Sequence, residues 1–538
     1  MSLLGLDIGT TNCKGAVFAA EGRCLGRASR EYQTLHRQPG WAELDSRAVL
    51  AAALDIIRQL ALQARAGRDP VRALSVSAMG EAMTPVSRDR QILDHAILCS
   101  DIRGRAELDG FMERISREDL YAINPNIVST GFSLPKLLWL RDHKPEIYQA
   151  ADKFLLFGEL LFYMLGCEAV TSFAHANRTL LFDLEKEDWS DRLLDLAGIE
   201  RRRLARPVAS GHIAGEIPRA RAAELGLDTG VLCVIGAHDQ CCNALGVGIC
   251  SAGKAVDGIG TFECVTPVYS RVPDRKFMLE AGLNVEHHAV PGLYVSFIYN
   301  QAGSLVKWFR DTFARNEKAA PGEDLYDRLT AEMPAVPTRL LVLPHFEPTG
   351  APDFIEDSSG VILGLRMSTR RGDILKAIME SETFYFLHSF QTLAAFGADT
   401  SRCVASGGGA KSPAWLQIKA DILGVPFEQS SDPEAGVLGA ALIAGRAIGQ
   451  FSGYPEACAR FIKPGRGFDP DPSRHGFYLE QFEKYRQLYP RLKDLLGAAP
   501  PVRPLPAPSP APAPGVLTGG NKGIPHLSDM KTLKNSVF

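Results

Sequence analysis

Asp239 lies where an apolar stretch of the chain gives way to small and polar residues. Residues 231–235 are β-branched or apolar and predict a buried strand, which Gly236 is expected to end. Residues 241–245 have the composition of the first turns of a packed helix. A carboxylate at such a strand-to-helix corner occupies the usual ligand position of α/β proteins, although it could equally cap the helix. This segment alone therefore predicts either a catalytic group or a structural cap.

A glycine–threonine turn follows the first predicted strand, because residues 3–19 have the pattern strand, tight turn, strand. The turn residues are Gly9, Thr10, Thr11 and Asn12. Such a turn offers backbone N–H groups and hydroxyls to an anion, and Lys14 adds a positive charge. A simple hairpin would show the same pattern. Asp7 favours the anion site, because an isolated buried carboxylate is costly and needs a partner such as a hydrated metal ion.

The same pattern recurs in the second half of the chain. Residues 254–268 again predict a strand, a turn and a strand, with Gly260 and Thr261 in the turn. Two similar segments, each opening a strand-rich stretch, indicate an internal duplication. Two such turns on facing domains would hold one polyphosphate between them. The sequence therefore predicts a clamp for one polyphosphate.

Further charged residues follow other predicted strands. Glu81 comes after the strand predicted at 71–79, and Asp101 and Arg103 follow a short apolar approach. Each of these acids alone is typical of a solvated loop. Together with Asp239, the two acids predict the wall of a polar pocket that accepts hydrogen bonds from substrate hydroxyls.

A run of glycines follows a predicted strand near residue 403. Gly407, Gly408 and Gly409 lead into a helix that is expected to begin near Pro413, whose fixed φ suits the first helical turn. Three glycines let a flat ligand approach the backbone closely, and they could also be only a flexible joint. Residues 435–443 predict a helix of small residues that packs closely against this turn.

The overall composition limits the class of protein. The 538 residues suggest two large domains, and a net charge of −3 indicates no general attraction to nucleic acid or to anionic membranes. We find neither an apolar run of about 20 residues nor a signal-peptide pattern. The eleven scattered cysteines, without a C-x-x-C pair, are typical of a reduced, cytoplasmic protein. A homodimer is left open.

Two longer motifs, together with the turns and the Asp239-Gln240 pair, resemble the FGGY carbohydrate kinases. The motifs span 131–143 and 360–380, and the resemblance covers residues 3 to about 490. It implies an α/β fold of two ribonuclease H-like domains, as in actin, hexokinase and Hsp70, with an interdomain active-site cleft. We expect an N-terminal domain at 1–250, a nucleotide-binding domain at 251–495 and a proline-rich, disordered tail at 496–538.

The resemblance also implies roles in phosphoryl transfer from ATP. Asp239 would be the general base that accepts the proton of the substrate hydroxyl, and Asp7 would hold Mg²⁺ through water. The residues expected to hold the β- and γ-phosphates are Thr10, Thr11, Asn12, Lys14, Gly260 and Thr261. Those expected along the adenosine are Gly408, Gly409, Ala410 and Gln417. Those expected to contact the sugar are Glu81, Asp101, Arg103 and Gln240.

The choice of substrate is predicted from pocket size alone. Glycerol kinases carry an arginine before the acid at Glu81, where this chain has Gly80, and larger residues near Cys99 and Gly131. The smaller residues predict a wider pocket, for a ketose or polyol such as a pentulose, phosphorylated at a terminal hydroxyl. A xylulokinase-type histidine turn is replaced here by residues 78–82. The alternatives are a glycerol or sugar-acid kinase of the same family, or an ATPase related to actin and Hsp70.

Overall fold

Parallel strands at the centre of the first half explain why its sequence is locally so apolar. The computed structural model describes residues 2–317 and 324–496, so the expected tail from residue 497 onward lies outside the described residues. The first sheet has six strands in the order β13-β14-β5-β1-β2-β3. Its central strands β14, β5 and β1 run parallel to one another and are buried on both faces, which requires near-continuous apolar sequence.

The regular elements of the first half supply this sheet and the helices around it. In chain order they are β1 (Ser2–Ile8), β2 (Asn12–Phe18), β3 (Cys24–Glu31), β4 (Glu43–Leu44), α1 (Ser46–Ala66), β5 (Val71–Ala78), β6 (Met83–Val86), β7 (Ala96–Ile97), α2 (Arg105–Met112), α3 (Arg117–Ile123), α4 (Ser133–His143), α5 (Pro145–Ala150), β8 (Lys153–Leu156), α6 (Phe157–Leu165), β9 (Val170–Ser172), α7 (Phe173–Asn177), β10 (Phe182–Asp183), β11 (Asp188–Trp189), α8 (Asp191–Ala197), β12 (Arg206–Val208), β13 (Ile213–Glu216), α9 (Arg219–Glu224), β14 (Leu232–His238) and α10 (Asp239–Gly246).

The second half is built around an eight-stranded sheet with the path β17-β18-β16-β15-β22-β23-β24, in which β19 also pairs with β16. Its described elements are β15 (Lys254–Ile259), β16 (Phe262–Tyr269), α11 (Arg275–Glu280), β17 (Glu286–His287), β18 (Tyr294–Val295), β19 (Ile298–Gln301), α12 (Gly303–Phe313), α13 (Leu325–Ala331), β20 (Leu341–Leu343), β21 (Val361–Leu363), α14 (Arg371–Ala395), β22 (Cys403–Ser406), α15 (Pro413–Leu423), β23 (Phe427–Gln429), α16 (Ala435–Ala447), α17 (Tyr454–Phe461), β24 (Gly467–Phe468), α18 (Pro472–Tyr485) and α19 (Leu488–Leu496).

The two sheets share one strand arrangement. In the first, β1 pairs antiparallel with β2 across the Gly-Thr turn and parallel with β5. In the second, β15 pairs antiparallel with β16 across the second turn and parallel with β22. The mixed α/β fold with a duplicated core, predicted from the sequence, is confirmed.

Helix α16 belongs to the second half of the sequence but packs on the first sheet and across α10. Glycines make this possible, because a Cβ added at Gly246 would lie 1.8 Å from the Ala435 carbonyl oxygen. A Cβ at Gly439 would lie 1.9 Å from the Cys242 carbonyl oxygen, and one at Gly5 would lie 2.0 Å from that of Val437. The helices therefore meet backbone to backbone.

The expected end of the strand at Gly236 is wrong. The strand β14 continues to His238 and α10 begins at Asp239 without an intervening loop. Gly236 lies inside the strand, where the two backbones are so close that a Cβ would be 1.9 Å from the Val76 carbonyl oxygen of β5. The glycine is thus a site of close backbone approach rather than a turn. Among the described residues, none of the helices combines the length and apolarity needed to cross a membrane.

The glycine crossing predicts a specific stability defect. Gly439→Ala forces a methyl group against the backbone of α10, so the free energy of unfolding should fall by about 1–3 kcal/mol. Gly110→Ala in α2 is the matched control, because a Cβ there meets nothing within 4 Å, and it should be neutral or gain about 0.5–1 kcal/mol. Urea denaturation measures both. Equal effects of the two substitutions would show that the helices do not touch at this glycine.

Candidate active site

Asp239 is the first residue of α10, so the N-cap position belongs to His238. Its side chain is 32% exposed, and it lies beside the His238 ring at 3.5 Å from Nδ1. Its Oδ1 is enclosed and has no hydrogen-bond partner among the described residues. The carboxylate is therefore not a helix N-cap, and the exposed part of its side chain remains available to a ligand.

The surroundings of Asp239 make it a stronger base than an ordinary aspartate. Burial, and after it the nearby carboxylates of Asp7 and Glu81, raise its pKa from 3.8 to about 7. The Gln240 backbone N–H and the Arg178 guanidinium act in the opposite direction. A group that titrates near neutral pH can both take up and release a proton during turnover. Asp239 thus has the acid–base property that the corner predicts.

Asp7 lies near the end of β1, next to the first turn. Its Oδ1 accepts a hydrogen bond from Ser77 of β5 at 2.6 Å, whereas its Oδ2 takes none from the described chain. Burial raises its pKa, which the Ser77 bond and Lys14 partly offset. Lys14 forms an ion pair at 2.9 Å with Glu434, the residue before α16. A Cβ at Gly436 would touch the Asp7 carboxyl carbon at 3.4 Å, so the start of α16 lies directly against this acid.

The two Gly-Thr turns are both open to solvent. Thr10 and Thr11 are exposed and Asn12 is half-buried at the start of β2. In the second sheet Gly260 and Thr261 are also exposed, between β15 and β16. None of the three threonine side chains is consumed by packing, as an anion site requires.

Helix α10 connects Asp239 to the second sheet. The amide of Asn243 exchanges hydrogen bonds with Ser406 of β22 at 3.0 and 3.1 Å. A Cβ at Gly258 of β15 would lie 3.7 Å from Oε1 of the half-buried Gln240. The first turns of α10 therefore stand between the two sheets. Gly258 pairs with Ser406, and the Gly260-Thr261 turn closely follows Gly258 along the chain, so this turn lies at the same edge of the second sheet.

The glycine run forms an open surface over β15. Gly407 has φ +85°, its Cβ would lie 2.6 Å from the Ile259 carbonyl oxygen, and Gly408 has open space around it. Ala410 is buried, and its carbonyl accepts a hydrogen bond from Gln429 at 2.9 Å. Gln417 is different, since its amide donates to Asp421 at 2.8 Å and to the Asp469 carbonyl at 2.9 Å. Its contact with adenosine stays a prediction that would rest on the remaining oxygen.

Glu81 is held by an arginine from a distant part of the chain. The Arg178 Nε donates to Glu81 Oε1 at 2.6 Å, and Nη2 also contacts this oxygen. The expected wide pocket at Gly80 is wrong, because a Cβ there would lie 2.8 Å from Cγ of Arg178. The side-chain volume and the positive charge that glycine does not provide at position 80 are supplied by Arg178 instead.

Asp101 and Arg103 bind each other. Both Asp101 oxygens accept hydrogen bonds from Arg103, at 2.7–3.0 Å, and Oδ2 also accepts one from the Ala42 backbone. Arg103 in addition pairs with Glu43 at 2.7 Å and stacks 3.6 Å above the Trp41 ring. Both residues are buried, with Asp101 fully so. The structure thus shows that Asp101 and Arg103 satisfy each other, and direct contact of this pair with a sugar stays a prediction.

Several groups that the sequence did not single out also belong to this cleft. Lys136 is buried, donates to the Gly131 carbonyl, and has its pKa lowered to about 8 by burial. Ser77 was detectable as a polar residue in an apolar strand. Arg178 and Glu434 carried no local signal, because their partners are 97 and 420 residues away in sequence.

Comparison with known proteins gives matches that include the candidate site and cover most of the chain. The model for the N-terminal domain of the FGGY family of carbohydrate kinases matches residues 2–246, and that for the C-terminal domain matches 268–448. The xylulose kinase of Bacillus subtilis (strain 168) is 27% identical over 496 residues, 92% of this chain and 97% of that protein. The autoinducer-2 kinase of Escherichia coli (strain K12) is 28% identical over 520 residues, 92% and 94% of the two chains. The crystal structure of xylulose kinase from Rhodospirillum rubrum has a TM-score of 0.84 at 26% identity, covering 92% and 99%.

The raised pKa of Asp239 predicts a pH-dependent stability cost. Between about pH 4 and pH 7 the carboxyl ionises in the unfolded chain but not in the folded one, so the folded state loses stability as the pH rises through this interval. Asp239→Asn removes the cost. Its free energy of unfolding relative to the parent should therefore rise by on the order of 1–3 kcal/mol between about pH 4 and about pH 8.

Urea denaturation of both proteins at a series of pH values measures this difference. Asp399→Asn, at an exposed aspartate, is the control for loss of one carboxylate. A difference between Asp239→Asn and the parent that stays constant with pH would contradict a buried, weakly ionised Asp239.

Proposed function

Because the chain belongs to the FGGY family of carbohydrate kinases, we propose that it phosphorylates a terminal hydroxyl of a small ketose, with ATP as the phosphoryl donor and Asp239 as the general base. The observation that supports this most is that the Asp239 side chain keeps 32% of its surface exposed, while burial and the carboxylates of Asp7 and Glu81 raise its pKa to about 7. A substrate hydroxyl would donate its hydrogen bond to this carboxylate.

The proposed reaction needs few groups. The substrate hydroxyl would pass its proton to Asp239 as its oxygen attacks the γ-phosphorus of ATP, and ADP would leave. Lys14 and the hydroxyls of Thr10 and Thr11 would bind phosphate oxygens, with Gly260 and Thr261 approaching from the second sheet. Closure of the two halves would exclude water, which competes with the sugar as phosphoryl acceptor.

Family membership implies the use of ATP, and a divalent cation such as Mg²⁺ is the proposed companion. Mg²⁺ usually takes only one or two protein carboxylates and fills its other positions with water and phosphate. Asp7 fits this demand, since its Oδ2 takes no bond from the described chain. When bound, the ion would neutralise charge on the phosphates. Ser77 and Lys14 would then hold the Asp7 carboxylate in place.

A pentulose is the proposed substrate class. The xylulose kinases among the relatives support it, and the autoinducer-2 kinases are a reason to include autoinducer-2 among the compounds tested. Glu81 and Gln240 are the proposed hydroxyl ligands, with Asp101 and Arg103 at the pocket wall. Gly408, Gly409, Ala410 and Gln417 are the proposed adenosine contacts. A glycerol or sugar-acid kinase remains the alternative within the family.

Other parts of the sequence-based hypothesis are kept here as proposals. These are domain bounds of 1–250 and 251–495, a cytoplasmic location and a homodimeric state. The proposed partners are small molecules, without nucleic acid or membrane. Size-exclusion chromatography with light scattering would decide the oligomeric state.

Asp239→Asn tests the proposed base. Without a proton acceptor at this position, kcat should fall by about 10²–10⁴-fold, while the dissociation constant for ATP stays essentially unchanged. In the parent enzyme, kcat/KM should decline below a midpoint near pH 7, because only the ionised carboxylate accepts the proton. Stopped-time phosphorylation assays and calorimetric nucleotide titration measure these quantities. Full activity of the Asn variant would assign the base to another residue.

A substrate screen tests the proposed sugar class. ADP release should be fastest, in kcat/KM, with a pentulose, and slower with pentitols, glycerol and aldonates. Preference for glycerol or an aldonate would favour the alternative within the family. ATP hydrolysis that ignores every sugar but responds to a protein partner would instead indicate an ATPase related to actin and Hsp70.

A further inference from the structure

Arg178, directly after α7, joins the two halves of the chain. Its Nε and Nη2 bind Glu81 Oε1, while Nη1 donates at 2.6 Å to Oε1 of Glu286 in β17. Its guanidinium carbon lies 4.8 Å from the Phe132 ring and 5.6 Å from the Phe297 ring. The arginine therefore contacts one carboxylate and one aromatic ring from each half.

The partners of Arg178 are themselves fixed. Glu286 is fully buried, and its Oε1 also accepts from Asn284 at 2.7 Å. The Glu81 backbone has φ +64°, which is strained for a residue with a side chain, and its carbonyl accepts from Ser133 at 2.7 Å. Removal of a cation from between two buried carboxylates would leave both without compensation. Arg178 thus holds Glu81 in a conformation that its backbone would not otherwise favour.

The contacts with Arg178 leave one carboxylate oxygen of Glu81 as an open hydrogen-bond acceptor. Both arginine contacts to Glu81 use Oε1, so Oε2 takes no hydrogen bond from the described residues. Of the five N–H groups of a guanidinium, three are engaged here, and the side chain keeps 18% of its surface exposed. An open carboxylate oxygen beside a partly open guanidinium matches adjacent oxygens of a polyhydroxylated substrate, one that donates and one that accepts.

We propose that Arg178 is a positioning residue for the sugar: it orients Glu81 so that Oε2 binds a substrate hydroxyl, and it fixes this carboxylate relative to the second half through Glu286. The inference rests on the proposed sugar kinase function and deepens it. It also explains how the chain can carry glycine at position 80, because the space beside Gly80 is occupied by the Arg178 side chain.

The same residue affects the proposed base. Asp239 faces the carboxylates of Asp7 and Glu81, the Arg178 guanidinium, the His238 ring, and the thiols of Cys99, Cys241, Cys242 and Cys264. Among these, Arg178 is the charged group that lowers the pKa of Asp239. Loss of its charge should therefore move the acid limb of kcat/KM to higher pH.

Two substitutions of Arg178 separate the effect of its forked hydrogen bonds on KM from the effect of its charge on the pH midpoint. Arg178→Lys keeps the charge but cannot form the forked contact, so KM for the sugar should rise about 10- to 100-fold while the pH midpoint stays in place. Arg178→Gln removes the charge as well, so KM should rise and the acid limb should shift to higher pH. Glu286→Gln leaves the Arg178–Glu81 contact intact and should raise KM less than either, so it serves if the Arg178 variants fold poorly.

Arg203 provides the matched control. Its side chain is 11% exposed, and its guanidinium is bound to Glu200 and to the backbone carbonyls of Tyr148 and Ala151, none of which belongs to the proposed site. Arg203→Lys and Arg203→Gln should lower stability without changing KM for the sugar or the pH midpoint. Steady-state kinetics from about pH 5 to about pH 9, with thermal unfolding of each variant, give every readout.

The outcomes are distinct. If the parent enzyme phosphorylates no sugar, the proposed function fails and this inference fails with it. If the parent is active and Arg178→Lys keeps the parental KM, or if Arg203→Lys changes it equally, the inference alone fails. A rise in KM confined to the Arg178 and Glu286 variants, with the pH shift confined to Arg178→Gln, supports it.

Discussion

The close crossing of α10 and α16 fixes the position of Asp239 relative to Asp7 and Glu434. No side chain separates the two helices at Gly246 and Gly439, so their backbones fix each other's position. Asp239 is the first residue of α10, and Glu434 directly precedes α16, whose second residue, Gly436, touches Asp7. Any wider spacing would displace Asp239 from Asp7, and a misplacement on the order of 1 Å can cost about 100-fold in rate. The small-residue composition of α16 is thus a requirement of the site.

This crossing has an electrostatic cost, because it brings carboxylates together in a poorly solvated place. Asp7 and Glu81 both raise the pKa of Asp239, in addition to the effect of burial. Arg178 and Lys14 offset part of the repulsion, through Glu81 and beside Asp7 respectively. The site therefore holds Asp239 near its point of half-ionisation at neutral pH, which suits a proton acceptor but works against the stability of the fold. Stability and activity are in direct opposition at this one carboxyl group.

The sequence predicted those features of the site that are formed by residues close together in the chain. The strand–turn–strand units around Thr10 and Thr261, and the corner at Asp239, depend on local composition and were predicted. Gly236 was misinterpreted because a glycine that accommodates a neighbouring strand has the same letter as one that makes a turn. The pocket at Gly80 was misjudged for a related reason: a missing side chain was taken as free volume, although Arg178, almost a hundred residues away, fills it. Contacts of that range are set by tertiary structure alone.

The duplicated strands also explain why the fold holds one set of open acidic groups rather than two. The residue of β15 that corresponds in position to Asp7, two before the turn glycine, is Gly258, and each has a serine as its parallel neighbour, Ser406 and Ser77 respectively. The acid of β15 is the preceding residue, Asp257, whose cross-strand neighbours are Val265 and Ala405. Asp257 is completely buried and depends on the equally buried Lys419, which also binds Glu263. Its pKa is raised by burial, which Lys419 offsets. Because this acid is enclosed with its own cation, it serves the core of the second half. Asp7, with a half-buried carboxylate beside an open turn, kept an oxygen for a ligand. The two halves thus share a strand plan, but the position that carries Asp7 in the first carries Gly258 in the second, and that difference places the proposed chemistry on the first sheet.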